Sequence, residues 1–332
     1  MPPTARPLIC LITPYGALAN NGNWHTAARW QHFLRGTARL RLATEWDGLR
    51  ADLMIALHAR RSAPSIHAFA AAHPNRPLCV VLTGTDLYRD IKSDPDAQRS
   101  LALATHLVVL QELGPQAVPA EFRAKTRVIF QSTHSLKPGE HRANSFEVAV
   151  VGHLRDEKDP LTVIRAARRL PAPSRIHLLH AGSVLDAELA TAARTATAEL
   201  APRYRWLGAQ SRAQARQLMR RSQVLLHASK MEGGAQVILE AITAHTPVIA
   251  SDCDGNVGML GRGYPGLFPV GDDAACARLL QRAETEPAFL ETLRQACAQR
   301  APLFAPAREQ AALLELVGAA LAGGINTSSP RR

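Results

Sequence analysis

The sequence predicts an α/β protein of two domains, each built on a mainly parallel sheet. Three observations lead there. The chain has 332 residues, enough for two cores. Short apolar runs of strand length alternate with helical windows, and the alternation restarts after a polar stretch. That stretch, 135–145 (Ser-Leu-Lys-Pro-Gly-Glu-His-Arg-Ala-Asn-Ser), has the Pro, Gly and charge content of a linker. The expected organisation is an N-terminal domain over 1–143 and a second domain over 144–304. A C-terminal helix over 305–325 follows, packing back toward the first domain, and a flexible tail over 326–332.

In chain order, Leu8–Ile12 reads as a buried first strand ended by Thr13-Pro14. The turn-rich loop Tyr15–Asn23 follows, and a helix over Trp24–Leu34 for which Asn23 is a plausible cap. Further strands fall at Leu53–Leu57, Leu78–Leu82, Leu107–Leu110 and Arg127–Phe130, with a helix at Ser65–Ala72. The second half gives strands at Phe146–Val151, Ile176–Gly182, Tyr204–Gly208, Val224–His227 and Pro247–Ala250. Helical windows lie at Leu161–Leu170, Ala187–Leu200, Arg212–Arg221 and Ala235–Ala244, and a last helix at Arg308–Leu321. Open α/β sheets bind ligands beyond the carboxyl ends of their strands, so the loops there hold the candidate site.

Composition narrows the function. Apolar residues make up 46% and charged residues 20%, as in ordinary soluble domains, but the net charge is +11. The basic residues are arginines scattered along helices, such as Arg165, Arg168 and Arg169. No run of five like charges occurs and aromatics are 5%, which argues against nucleic acid and leaves small anions as partners. The five cysteines form no CxxC pair, so reduced thiols and a cytoplasmic location are expected. No stretch is long and apolar enough to span a membrane. Asp252-Cys253-Asp254 lacks a third ligand nearby, so no metal is expected.

Two stretches carry the chemistry. In Ser229-Lys-Met-Glu232-Gly233-Gly234-Ala235-Gln236-Val237-Ile-Leu-Glu240-Ala241, two glutamates stand eight positions apart around a helix start near Gly234. Bare amides and the positive dipole end there suit a phosphate, and the carboxylates suit hydroxyls. The second stretch is the strand-end loop Gly152-His153-Leu-Arg155-Asp-Glu-Lys158, where Lys158 can reach a phosphate as a point charge. Read alone, this loop is more readily a βα turn with solvated charges; its place in the same domain as Glu232 and Glu240, on sheet-edge loops that can converge, makes it a candidate. Gly22-Asn23 is either a turn with a helix cap or a small anion site, and it lacks the G-x-G-x-x-G pattern.

These residues resemble the retaining nucleotide-sugar glycosyltransferases of family 4. Their pattern is a Gly-Arg-x-x-x-x-Lys loop followed by Ser-x-x-Glu-Gly-x-Gly-x-x-x-x-Glu-Ala. The resemblance implies a GT-B fold: two Rossmann-like domains with mainly parallel sheets facing each other across a cleft. It implies a UDP-sugar as donor substrate, with no other cofactor and no metal. Lys158 would bind the donor pyrophosphate, Glu232 the sugar and Glu240 the ribose. Amides of Ala235, Gln236 and Val237 would face the phosphate, with Gly152, His153, Arg155, Gly233 and Gly234 around them. Two departures stand out: His153 replaces the usual arginine, and Ala235 replaces the second glycine.

The stretches Pro14–Trp30 and Thr83-Gly84-Thr85-Asp86-Leu87-Tyr88 resemble a narrower branch, the selenosugar synthases of selenoneine biosynthesis. That implies transfer from UDP-N-acetylglucosamine to selenophosphate. Gly22, Asn23, Thr26 and Thr83 would form the acceptor side, and His25 and Asp86 are the candidate bases. Selenophosphate is strongly nucleophilic and needs positioning more than deprotonation. Two alternatives stay open: a family 4 transferase acting on a hydroxyl of a carbohydrate, lipid or small molecule, and an inactive sugar-nucleotide-binding partner. A lipid acceptor would call for an exposed basic-aromatic helix. Trp24–Arg35 is the one candidate, and it reads as core-facing.

Overall fold

In the computed structural model, residues 6–17 and 21–325 are described. Asn20 of the first loop and the tail over 326–332 lie outside them. The chain forms two compact units. One comprises Met1–Gln131 with Pro306–Arg332, the other Ser132–Ala305.

The first unit holds β1 (Leu8–Ile12), β2 (Arg39–Ala43), β3 (Leu53–Leu57), β4 (Leu78–Leu82), β5 (His106–Val109) and β6 (Thr126–Val128). They form one parallel sheet in the order β2-β1-β3-β4-β5-β6. Side chains alternate across it, so each strand feeds two cores. Ile12, Met54, Val80 and Val109 point to the face covered by Ile66, Phe69 and Leu101. Leu11, Ile55, Val81 and Val108 point to the other, covered by Trp30 and Leu34. Helix Pro306–Ile325 adds Leu313, Leu316, Val317 and Ala320 to that second face, the i, i+3, i+4, i+7 stripe of an amphipathic helix. Its first turn carries the buried Glu309, which accepts from Arg29 Nε (2.6 Å), Arg29 Nη2 (2.9 Å) and Trp30 Nε1 (2.7 Å). Helix Gly22–Leu34 is therefore core-facing, with Trp30 fully buried.

The second unit holds β7 (Phe146–Val151), β8 (Ile176–Ala181), β9 (Tyr204–Gly208), β10 (Val224–His227), β11 (Val248–Ser251) and β12 (Leu267–Phe268). They make a second parallel sheet in the order β12-β11-β10-β7-β8-β9. The order reverses at β7 and β10, which lie side by side, and α/β sheets form a ligand crevice at such a point.

The boundary differs from the expected 143. It falls after Gln131, because the polar segment beyond it is bonded into the second unit. Leu136 N donates to Thr243 O at 2.9 Å, and Arg216 Nη2 donates to His134 O at 2.6 Å. Gly139 lies so near Arg220 that a Cβ would stand 2.2 Å from its carbonyl oxygen. The first helix also starts earlier than expected. It begins at Gly22, and Asn21 rather than Asn23 caps it, its side chain accepting from Trp24 N at 3.1 Å.

Candidate active site

The site of the second unit grows from the carboxyl ends of β7 and β10. Beyond β7 the chain makes a single turn, Asp156–Lys158, and then helix Pro160–Arg169. Asp159 caps that helix from a left-handed conformation (φ 45°), its carboxylate accepting from Thr162 N and Thr162 Oγ1. The turn is held to the loop after β10 by Lys230, whose N donates to Glu157 O and whose Nζ pairs with Asp156 at 2.5 Å. A side chain at Gly182 would collide with Gly152 O, a Cβ standing 1.8 Å away, so only glycine lets the β7 and β8 loops close together.

Lys158 and Glu232 meet at this edge. Lys158 Nζ donates to Glu232 Oε1 at 2.5 Å, and His227 Nε2 lies 3.0 Å from the same oxygen. Burial opposes ionisation of Glu232, but the Lys158 ammonium and the His227 hydrogen bond outweigh it and hold the carboxyl well below the usual carboxylate range. The backbone of Glu232 is pinned too, since a Cβ on Gly255 would lie 1.9 Å from its carbonyl oxygen. The cation and the anion predicted from separate stretches thus form one ion pair, with side chains 19% and 11% exposed.

Glu240 lies on helix Gln236–Ile242, capped by Ala235, two residues later than the start expected near Gly234. The amides of Gln236 and Val237 open that helix and have no partner one turn back. The side-chain Nε2 of Gln236 is buried without a hydrogen-bond partner, a donor facing away from solvent. Gly233 is buried and Gly234 half-buried in the loop before them. Glu240 is 6% exposed, and its Oε1 accepts from Arg212 Nε at 2.6 Å.

His153 and Arg155 take different positions from a phosphate clamp. His153 Nδ1 accepts from Ser183 N at 3.1 Å and so ties the β7 loop to the β8 loop. Burial first, then the charges of Arg155 and Lys158, lower its pKa, leaving a neutral ring that donates only through Nε2. Arg155 Nε is buried without a hydrogen bond, and the guanidinium stands 3.8 Å from Glu157.

In the first unit two of the expected residues, Asp86 and Thr26, are engaged within the fold. Asp86 is fully buried, and its two oxygens accept from Thr83 N (2.8 Å), Gly84 N (2.9 Å) and Ala59 N (2.9 Å). Those three amides take three of the carboxylate's lone-pair positions, so Asp86 ties the loops after β3 and β4 together. Thr26 is likewise bonded within the unit. Its hydroxyl donates to Gly22 O at 2.8 Å and accepts from Gln131 Nε2, and the residue is 1% exposed. Gly22 is exposed, while Asn23, His25 and Thr83 are half-buried. Among the described residues, no three His, Cys, Asp or Glu side chains converge as a metal site. All five cysteines are free thiols. No described helix is long and apolar enough to cross a membrane.

Sequence reasoning missed His227, Ser229 and Arg212 as site residues. His227 closes the apolar run of β10 and reads as core; only Glu232, five positions on, hints at its role. Arg212 reads as one of many helix-surface arginines.

Two six-stranded parallel-sheet α/β units are the architecture of the chain's solved neighbours, glycosyltransferases of GT-B type. The profile of the family "Glycosyl transferases group 1" matches residues 101–303, and the chain belongs to that family. Among solved structures it is similar to HepE of Anabaena in complex with UDP and glucose, with a TM-score of 0.75 and 16% identity over 94% of this chain and 100% of that one. It is also similar to sucrose-phosphate synthase of Thermosynechococcus elongatus, at 0.73 and 17% over 96% and 100%. The pneumococcal O-GlcNAc transferase GtfA in complex with UDP and GlcNAc matches at 0.63 and 19%, over 81% of this chain and 57% of that chain. At these identities the likeness speaks for the fold. No curated protein matches by sequence.

Proposed function

We propose that the chain transfers the sugar of a UDP-sugar, UDP-N-acetylglucosamine, to selenophosphate, giving UDP and a selenium-bearing sugar. The observation that carries the donor half is the Lys158–Glu232 ion pair at the carboxyl ends of β7 and β10, with Glu232 four residues before the helix that opens with the amides of Gln236 and Val237 and carries Glu240. In this reading the ammonium and the amides take the pyrophosphate, Glu232 meets the sugar, and Glu240 meets the ribose. The C1–O bond breaks with its electron pair leaving on UDP, and Lys158 stabilises that charge. The C1–Se bond forms from a selenium lone pair. HepE, solved with UDP and glucose, supports a donor of this kind.

The acceptor half rests on the N-terminal resemblance and on Asp86. Asp86 is fully buried and three backbone amides already engage its oxygens, which favours an acceptor that asks no proton transfer of it. An acceptor that is already anionic and nucleophilic needs no such base, and the basic chain would attract it. The intact Lys158–Glu232 pair speaks against an inactive binding partner. A hydroxyl acceptor is the second reading, with His25 as its candidate base.

The test is a panel assay of UDP release with UDP-N-acetylglucosamine and either selenophosphate or hydroxyl acceptors, followed by mass spectrometry. A selenium-bearing sugar is the expected product. Turnover of a hydroxyl acceptor with no selenosugar formed would overturn the selenium assignment.

A further inference from the structure

We propose that His227 is a positioning residue that holds the Glu232 carboxylate for the donor sugar when Lys158 turns to the phosphates. The inference rests on the donor reading above and assigns a role to a residue outside it.

An imidazole at the end of a buried strand must satisfy its nitrogens inside the protein. His227 is 3% exposed, and its Nε2 stands 3.0 Å from Glu232 Oε1 and 3.0 Å from Ser229 Oγ. A carboxylate can only accept, so Nε2 must carry the proton. Burial lowers the pKa of His227 more than Glu232 raises it, so the ring is neutral and that N–H is its single donor. A bare Nε2 would set a lone pair against the carboxylate. One tautomer fits, and it aims its donor at Glu232.

The ring has its own support. Ser229 is fully buried, and its carbonyl accepts from Ser251 Oγ at 2.5 Å. Asn256 Nδ2 in turn donates to both Ser251 O and Ser251 Oγ at 3.0 Å. These bonds fix the backbone at Ser229, two residues past His227, and the Ser229 hydroxyl shares the Nε2–H as a second acceptor beside Glu232, whose backbone already sits against Gly255. Its two donors differ in kind. Lys158 is a flexible ammonium that a pyrophosphate would draw away, whereas His227 is a ring fixed by a strand and has no other anion to serve. Such fixed outer partners keep a first-contact carboxylate oriented without reorganisation at the moment of reaction.

The test compares His227→Gln, His227→Asn and His227→Leu. The glutamine amide nitrogen reaches the place of Nε2; that of asparagine stops near Nδ1 and cannot reach Glu232. The readouts are UDP affinity by calorimetry and kcat and KM for UDP-N-acetylglucosamine. UDP lacks the sugar, so the asparagine and leucine variants should bind it within about twofold of wild type. Both should lose about 10- to 100-fold in kcat/KM, the worth of a hydrogen bond to a charged group, and glutamine should restore most of it. UDP affinity falling in parallel with turnover would reduce His227 to a packing residue and overturn the proposal. So would equal kcat/KM in all three variants of an active enzyme. Should leucine prevent folding, the glutamine–asparagine pair still decides. Wild-type protein that bound no UDP would sink the donor reading itself, and the positioning role with it.

Discussion

Each unit carries a carboxylate just beyond the carboxyl end of an inner strand, Asp86 fully buried and Glu232 half-buried, and the two are held in opposite ways. Asp86, after β4, receives three backbone amides from two loops. Glu232, after β10, receives two side chains, Lys158 and His227, both on Oε1. Backbone donors cannot leave without unfolding a loop, so Asp86 is architecture. Lys158 can rotate toward a ligand while the His227 ring stays, so Glu232 is available. The number of hydrogen bonds is similar; their mobility separates structure from site.

The largest expected effect breaks or upholds that contrast directly. Asp86→Ala strands three amide donors in a dry place and should lower the unfolding free energy by about 3–5 kcal/mol. Glu232→Ala should change stability by less than about 1 kcal/mol, because Lys158 can turn to solvent, while sugar transfer is lost. Urea unfolding of both variants, beside a transfer assay, checks the pair. If Asp86→Ala abolished transfer in a protein of wild-type stability, the two carboxylates would not differ as described.

A second effect concerns protons in the second unit. His180 is buried against Tyr204, with Nδ1 2.9 Å from Tyr204 Oη and Nε2 3.1 Å from Gly152 O. Burial lowers its pKa from 6.5 to about 4, only partly opposed by the bond to Gly152. Between those values the unfolded chain binds the proton and the folded chain does not, so stability rises with pH across the window. It is complete above about 6.5 and lost as pH falls toward 4. The shift corresponds to roughly 3 kcal/mol, and His227, also lowered by burial, acts with the same sign. Unfolding measured from pH 7 to 4 should show this slope, and His180→Gln should flatten it. A flat wild-type profile would mean the histidine is hydrated rather than buried.

Much of the fold was legible because parallel strands covered on both faces are continuous apolar runs. Leu53–Leu57 and Leu78–Leu82 announce themselves that way. The edge strand Arg39–Ala43 did not, since Arg-Leu-Arg-Leu keeps alternate side chains in water. Helix Pro95–Leu103 was also missed, although Asp94 caps it and Pro95 opens it. Lys158, Glu232 and Glu240 were legible through spacing around a helix start. The three amides on Asp86 were not legible, because a polar residue at a strand's edge has the same sequence whether it faces a ligand or a backbone amide. The His227–Glu232 contact depends on how the loop between them folds back, which spacing does not encode.

Glu240 stands between the two extremes and offers the finest test. One of its oxygens is taken by Arg212 Nε at 2.6 Å, an arginine 38% exposed and thus partly free to move. If the ribose hydroxyls bind the other oxygen, Glu240→Ala should weaken UDP binding on the order of 1–3 kcal/mol, the range for hydrogen bonds to a charged group. Glu240→Gln keeps an acceptor and should lose less. Stability should barely respond, because the released Arg212 can pair with water. Calorimetry with UDP measures the loss. An unchanged affinity in Glu240→Ala would move the ribose elsewhere and would class Glu240 with Asp86, as a carboxylate that holds the fold through Arg212 rather than one kept for a ligand.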